Sequence, residues 1–201
     1  MLKRLISLIS LCLIVAAIIP SCGGAVEETC SFTSDEKPLD TAGNPYYTVL
    51  ADQNLQACHK TAILDALNDW ATKTNFTLKY KLEFVDMSKQ TKDTETKHTI
   101  KIYVADPGPG LAGWTSWQDS NSSAYTLVMP SIDENTFRLI MLHELGHAFN
   151  LHFGNDIHYK GPYQSVMYPG LGDAANEVSC PEITAFCKNY GCQVDCKNLA
   201  K

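Results

Sequence analysis

His143-Glu144-Leu145-Gly146-His147 is the stretch on which the reading of this 201-residue chain turns. It lies in a segment of helical period, with Phe137, Leu139, Ile140 and Leu142 before it. Histidines four residues apart stand one turn from each other on a single helical face, so both imidazoles can reach one ion. Neutral imidazole suits Zn²⁺, and a catalytic zinc site uses three protein ligands and keeps a fourth position open. Glu144 directly follows the first histidine, where a carboxylate can take a proton from an attacking water and return it to a leaving amine. The pattern also occurs by chance, as two satisfied histidines on a helix, and needs support from elsewhere in the chain.

That support lies downstream, in Ser165-Val166-Met167-Tyr168-Pro169. Together the two stretches resemble the metzincin clan of zinc metallopeptidases, and its matrixin-like branch in particular. That family joins an H-E-x-x-H-x-x-G-x-x-H zinc segment to a tight turn, S-[LV]-M-Y-P, whose methionine lies beneath the metal. The resemblance implies Met167 as the Met-turn residue, His143 and His147 as zinc ligands and Glu144 as general base. It implies one catalytic zinc and hydrolysis of peptide bonds. Structural calcium is compatible with it, but the sequence offers no ligand set for that ion. The similarity covers about residues 45 to 191 and takes in Pro181 to Gly191 as a C-terminal helix.

The chain departs from the family at the third ligand. Asn150 stands where the family has glycine, and asparagine is the next-best residue for the left-handed turn needed there. The third histidine would then fall at Phe153, which cannot bind zinc. His158 and His152 compete for the role, with Asp156 behind them. His158 is favoured because His158-Tyr159-Lys160-Gly161-Pro162 resembles the H-S-x-x-P that often follows the family's third histidine. It also stands nine residues before Met167. This choice requires an insertion, which a zinc helix lengthened by one turn and ended at Gly154 would accommodate. His152 is one residue early, and in an extended segment a one-residue shift turns the side chain to the other side.

Working outward, an α+β architecture is expected, with helices packed on a small mixed sheet. Leu55, Ala62, Ile63, Ala66, Leu67 and Trp70 predict a helix over about 53–73, with Asp52 as its cap. Leu78, Tyr80, Leu82 and Phe84 alternate with charged residues as a strand, and Ile100, Ile102 and Val104 form a second. Leu111 to Ser123 reads as a Gly/Ser/Trp-rich loop and Tyr125 to Met129 as a third strand. Ser131 with Glu134 reads as a capping box opening the histidine helix. The family resemblance places an extended substrate antiparallel to Tyr125 to Met129, with a side-chain pocket around Pro169 to Leu171.

Residues 1–22 read as an export signal, with Lys3 and Arg4 before the apolar run Leu5 to Ile19. Ile19-Pro20-Ser21-Cys22 resembles a bacterial lipobox, making Cys22 a lipidation site and the protein a lipid-anchored or else freely secreted one. Residues 23–44 then form a tether, 45–191 the peptidase domain and 192–201 a stapled tail. Of the eight cysteines, Cys30, Cys58, Cys180, Cys187, Cys192 and Cys196 remain for disulfides in an exported chain. A net charge of −6 and a pI near 5.4 argue against nucleic-acid or anionic-membrane binding. A monomer acting on a protein or peptide substrate is expected. The alternative is a non-catalytic, zinc-stabilised binding or adhesion module of the same fold.

Overall fold

The computed structural model describes residues 43–75, 77–90, 98–118, 123–129, 132–162, 164–170, 174–193 and 196. The signal, Cys22, Cys30 and nearly all of the tether lie outside these residues. Among the described residues, no helix is long and apolar enough to cross a membrane.

Among the described residues, five strands and three α-helices follow in the order β1 (Tyr46–Asp52), α1 (Ala57–Lys73), β2 (Lys79–Val85), β3 (Thr99–Val104), β4 (Gly113–Gln118), β5 (Ser123–Val128), α2 (Glu134–Ala148) and α3 (Cys180–Tyr190), with a short 3-10 turn at Met87–Lys89. The strands make one mixed sheet ordered β2-β1-β3-β5-β4. All neighbours run parallel except β4, which pairs antiparallel with β5. α1 provides the crossover that parallel β1 and β2 require.

Two strands differ from the sequence reading. β1 escapes it because Tyr46 and Leu50 are apolar between the inward Tyr47, Val49 and Ala51, which blurs the alternation. A strand between two parallel neighbours is covered on both sides and loses the simple two-residue signature. Asp52 therefore ends a strand, and α1 starts later, at Ala57 after Gln56. β4 escapes because Gly113 and Ser116 look like loop residues, although Trp114, Thr115 and Trp117 suit a pleated surface.

β4 also corrects the expected seat of substrate. β5 is paired on one side with β3 and on the other with β4, so it has no free edge to add a strand to. The last strand of the described sheet on this side is β4.

α2 is capped by Asp133, whose carboxylate accepts from the Thr136 amide at 3.1 Å and the Thr136 hydroxyl at 2.7 Å. The cap thus lies nearer the helix than the expected capping box; Ser131 itself is outside the described residues. α3 has its own capping box, Ser179 with Glu182, and stops at Gly191, whose φ of 74° lies in the left-handed region. Cys180–Cys196 and Cys187–Cys192 pair as disulfides, the longer closing a loop of a size that contributes about 3 kcal/mol. Cys58 is unpaired among the described residues.

Trp70 joins the three helices. Its indole N–H donates to the Leu142 carbonyl of α2 at 3.1 Å, and its ring packs edge-on against Phe149 and tilted against Phe186. The Tyr47 and Tyr190 hydroxyls meet at 2.6 Å, and Tyr190 also donates to the Phe149 carbonyl. These contacts fix the end of α2 between the sheet and α3. Trp70→Ala should cost ~3–5 kcal/mol in urea unfolding; a loss below about 1 kcal/mol would show that the helices are held together elsewhere.

Candidate metal centre

α2 ends at Ala148, and the chain reverses at Asn150 with φ of 54°. The asparagine takes up the left-handed conformation that its place in the sequence demanded. The expected extra helical turn is absent. Instead the inserted residues form a small loop, with Phe153 bridging Asp156 and Gly154 at φ 74°. That loop brings the chain back with His158 facing the helix.

The structure groups His143, His147 and His158, with ligand-capable nitrogens all within 4.8 Å of one another. The rings of His143 and His158 stack at 5.3 Å, and His147 stands nearly perpendicular to both. His152 is not in the group. Its Nε2 lies 2.9 Å from the Asn150 side-chain oxygen, and it lines a cavity of about 700 Å³ with Phe153, Tyr159, Cys180 and Pro181. Asp156 is also elsewhere. One carboxylate oxygen accepts from the His158 amide, and the other pairs with Lys160. The expected pocket at Pro169 to Leu171 is not where this cavity lies: Pro169 and Gly170 do not line it, and Leu171 is outside the described residues.

The chemistry of the three nitrogens fits a cation. His143 Nδ1 lies 2.7 Å from the Val166 carbonyl. A carbonyl can only accept, so Nδ1 carries the proton and Nε2 is left with its lone pair. That Nε2 stands 3.0 Å from His147 Nε2. His158 Nε2 is sealed from solvent and has no hydrogen-bond partner among the described residues. An orphaned buried polar atom costs about 1–3 kcal/mol, and a zinc ion shared by the three in the neutral form with Nε2 free would satisfy them all.

Burial also keeps these imidazoles neutral. It pulls His143 down to about 4, against the opposing pull of its bond to Val166 and with help from His158. It drives His147 well below the usual histidine range, assisted by the charges His143 and His158 would carry. His158 is lowered less, since Asp156 opposes the burial.

The turn carrying Met167 organises the cluster through its backbone. Val166 accepts from His143, and the Met167 carbonyl accepts from the Tyr159 amide at 2.9 Å, directly after His158. Two adjacent carbonyls therefore place two of the three histidines. The turn is in turn held by Ser165, whose hydroxyl accepts from the Met167 amide and donates to Glu182 of α3. Glu182 is fully buried, and its second oxygen takes both the amide and hydroxyl of Ser179. Met167 lies beneath α2 so closely that a Cβ on Gly146 would collide with its sulfur. This contact explains a glycine in the last turn of α2, a residue that otherwise weakens a helix by about 1 kcal/mol.

Glu144 is also fully buried, and its carboxyl meets β4. Oε2 accepts from the Thr115 hydroxyl at 2.7 Å, while Oε1 occupies the space that a side chain at Gly113 would need. Thr115, Ser165 and Glu182 thus belong to the surroundings of the centre. Only Ser165 stood in a recognisable motif; the others act through pairings between distant elements.

No family model matches the sequence, and no curated protein matches it significantly. Solved structures do. One is high choriolytic enzyme 1, a hatching-enzyme zinc protease from the medaka fish Oryzias latipes, with a TM-score of 0.54 and 12% identity over 83% of this chain and 99% of that one. Another is archaemetzincin from Methanopyrus kandleri, with a TM-score of 0.50 and 12% identity over 77% of this chain and 99% of that one. The fold is metzincin-like. At this identity the likeness establishes the architecture, while the roles of individual residues rest on the geometry of the site.

The neutral histidines give the metal-free fold a pH dependence. The unfolded chain takes up protons on them near pH ~6.5, whereas folded His143 does so only near 4. Their contribution is complete above about pH 6.5 and is lost as the pH falls towards 4. Thermal unfolding of chelator-treated protein should show a Tm several degrees lower at about pH 5 than at about pH 7. An unchanged or higher Tm at the acid pH would contradict the burial of neutral imidazoles.

Proposed function

We propose that this protein is a zinc-dependent metalloendopeptidase, matrixin-like in its motifs, acting as a monomer on extracellular proteins or peptides. The observation that carries the proposal is the convergence of His143, His147 and His158 over the turn that contains Met167, with Glu144 on the same helix as two of them. In this reading the three imidazoles hold one zinc ion. Bound there, the ion would polarise the scissile carbonyl and lower the pKa of water to near ~7.

The remaining work falls to the chain itself. Glu144 removes a proton from the attacking water and delivers it to the leaving amine nitrogen. Val166 keeps His143 in the tautomer that offers Nε2. Substrate lies extended along β4, adding a strand to the sheet through main-chain hydrogen bonds, while side-chain pockets set specificity. A binding module has no need of a buried carboxylate turned toward the strand at the sheet's edge, which favours the enzyme over the non-catalytic alternative.

The two disulfides suit an oxidising compartment, in keeping with export. Lipid anchoring at Cys22 belongs to the same proposal on the sequence pattern alone; fatty-acid labelling that persists in Cys22→Ala would refute it.

Wild-type protein loaded with zinc should cleave a mixed peptide library, and Glu144→Gln should lose on the order of 10³-fold in rate with its zinc intact. In the same preparations His158→Ala should lose zinc, while His152→Ala keeps it. No cleavage by zinc-replete wild type would refute the enzyme, and zinc loss confined to His152→Ala would refute the ligand assignment.

A further inference from the structure

Glu144 is held by more than its own helix. We propose that Thr115 of β4 is a positioning residue for the Glu144 carboxylate, setting the orientation from which it works as the general base. This rests on the peptidase reading for its consequence, though the contact stands independently of it.

Gly113 and Thr115 are two apart on a strand and present the same face. That face is turned to α2, which packs against β4. Thr115 donates to Oε2 at 2.7 Å, and Gly113 leaves room for Oε1 by having no side chain. One position supplies a hydrogen bond and the other supplies space, so the two together define where both oxygens lie.

The donor is itself oriented. Thr115 stands opposite Thr126 in the β4–β5 register, and the two hydroxyls are 2.9 Å apart. Thr115 has one proton and directs it to the carboxylate, so Thr126, fully buried, is the donor between the two threonines. Thr126 to Thr115 to Glu144 is thus a directed chain that ends on the Glu144 carboxyl. The Glu144 backbone carbonyl lies farther from the same hydroxyl, at 3.3 Å. Because β4 is also the strand along which substrate is proposed to bind, seating of substrate and orientation of the base share one element.

Valine keeps the shape of threonine without the hydroxyl, and serine keeps the hydroxyl without the methyl. In zinc-loaded protein, Thr115→Val should lower kcat about ten-fold or more with KM within about two-fold and zinc content unchanged. Thr115→Ser should restore kcat to within about three-fold of wild type. A packing role would instead spare Thr115→Val and impair Thr115→Ser; that result, a wild-type kcat in Thr115→Val, or a serine variant as impaired as the valine one would overturn the proposal. The carboxyl ¹³C resonance of Glu144, assigned by its loss in Glu144→Gln, should move in Thr115→Val and return in Thr115→Ser. This readout does not depend on turnover: an unmoved resonance overturns the contact even in an active enzyme, whereas a moved resonance in a protein that cleaves nothing refutes the peptidase reading alone.

Discussion

The hydrogen bond between His143 Nδ1 and the Val166 carbonyl ties the two ends of the centre together. It joins a helix to a turn far along the chain and decides which ring nitrogen of His143 faces the other histidines. The next carbonyl, that of Met167, holds the amide after His158, so the same turn also places the third imidazole. Behind the turn, Ser165 and the buried Glu182 connect it to the start of α3. Displacing α3 would therefore be felt at His143 through a short run of hydrogen bonds. The disulfides on α3 stiffen the element at the root of that run.

The centre brings three imidazole nitrogens together. The His143 and His147 Nε2 atoms are hydrogen-bonded at 3.0 Å, and that of His158 is sealed without a partner among the described residues. Their burial favours the neutral, metal-ready form and makes protonation compete with folding. Binding a metal that prefers the folded arrangement would add its free energy to the stability of the fold. Structure and ligand binding are in this sense one equilibrium. The contacts of Trp70 and of the Tyr47–Tyr190 pair keep the end of α2 in place.

Some of this was legible in the sequence and some was not, for physical reasons. His143, Glu144 and His147 are neighbours on one helix, so local spacing reveals them. The Met turn is contiguous, and Asn150 signals its own left-handed turn. His158 could be favoured only by its resemblance to a family pattern and its distance from Met167, since a loop closed by Phe153 and Asp156 has no local signature. Phe149 and Phe153 keep helical spacing and so predict a longer helix, although α2 ends at Ala148 and both rings pack elsewhere. β1 and β4 were hidden by apolar residues on both faces and by Gly and Ser. With β4 unseen, β5 looked like the strand open to substrate, and Thr115 could not be connected to Glu144.

The central claim is that His143, His147 and His158 together hold one zinc ion. X-ray absorption at the zinc edge, on protein carrying one equivalent of zinc, tests it most directly. Three imidazole nitrogens at about 2.0–2.1 Å, one further light scatterer and no sulfur are expected. His158→Ala should reduce the imidazole count, and His152→Ala should leave it unchanged. A sulfur shell near ~2.3 Å, or a spectrum altered by His152→Ala and not by His158→Ala, would contradict it.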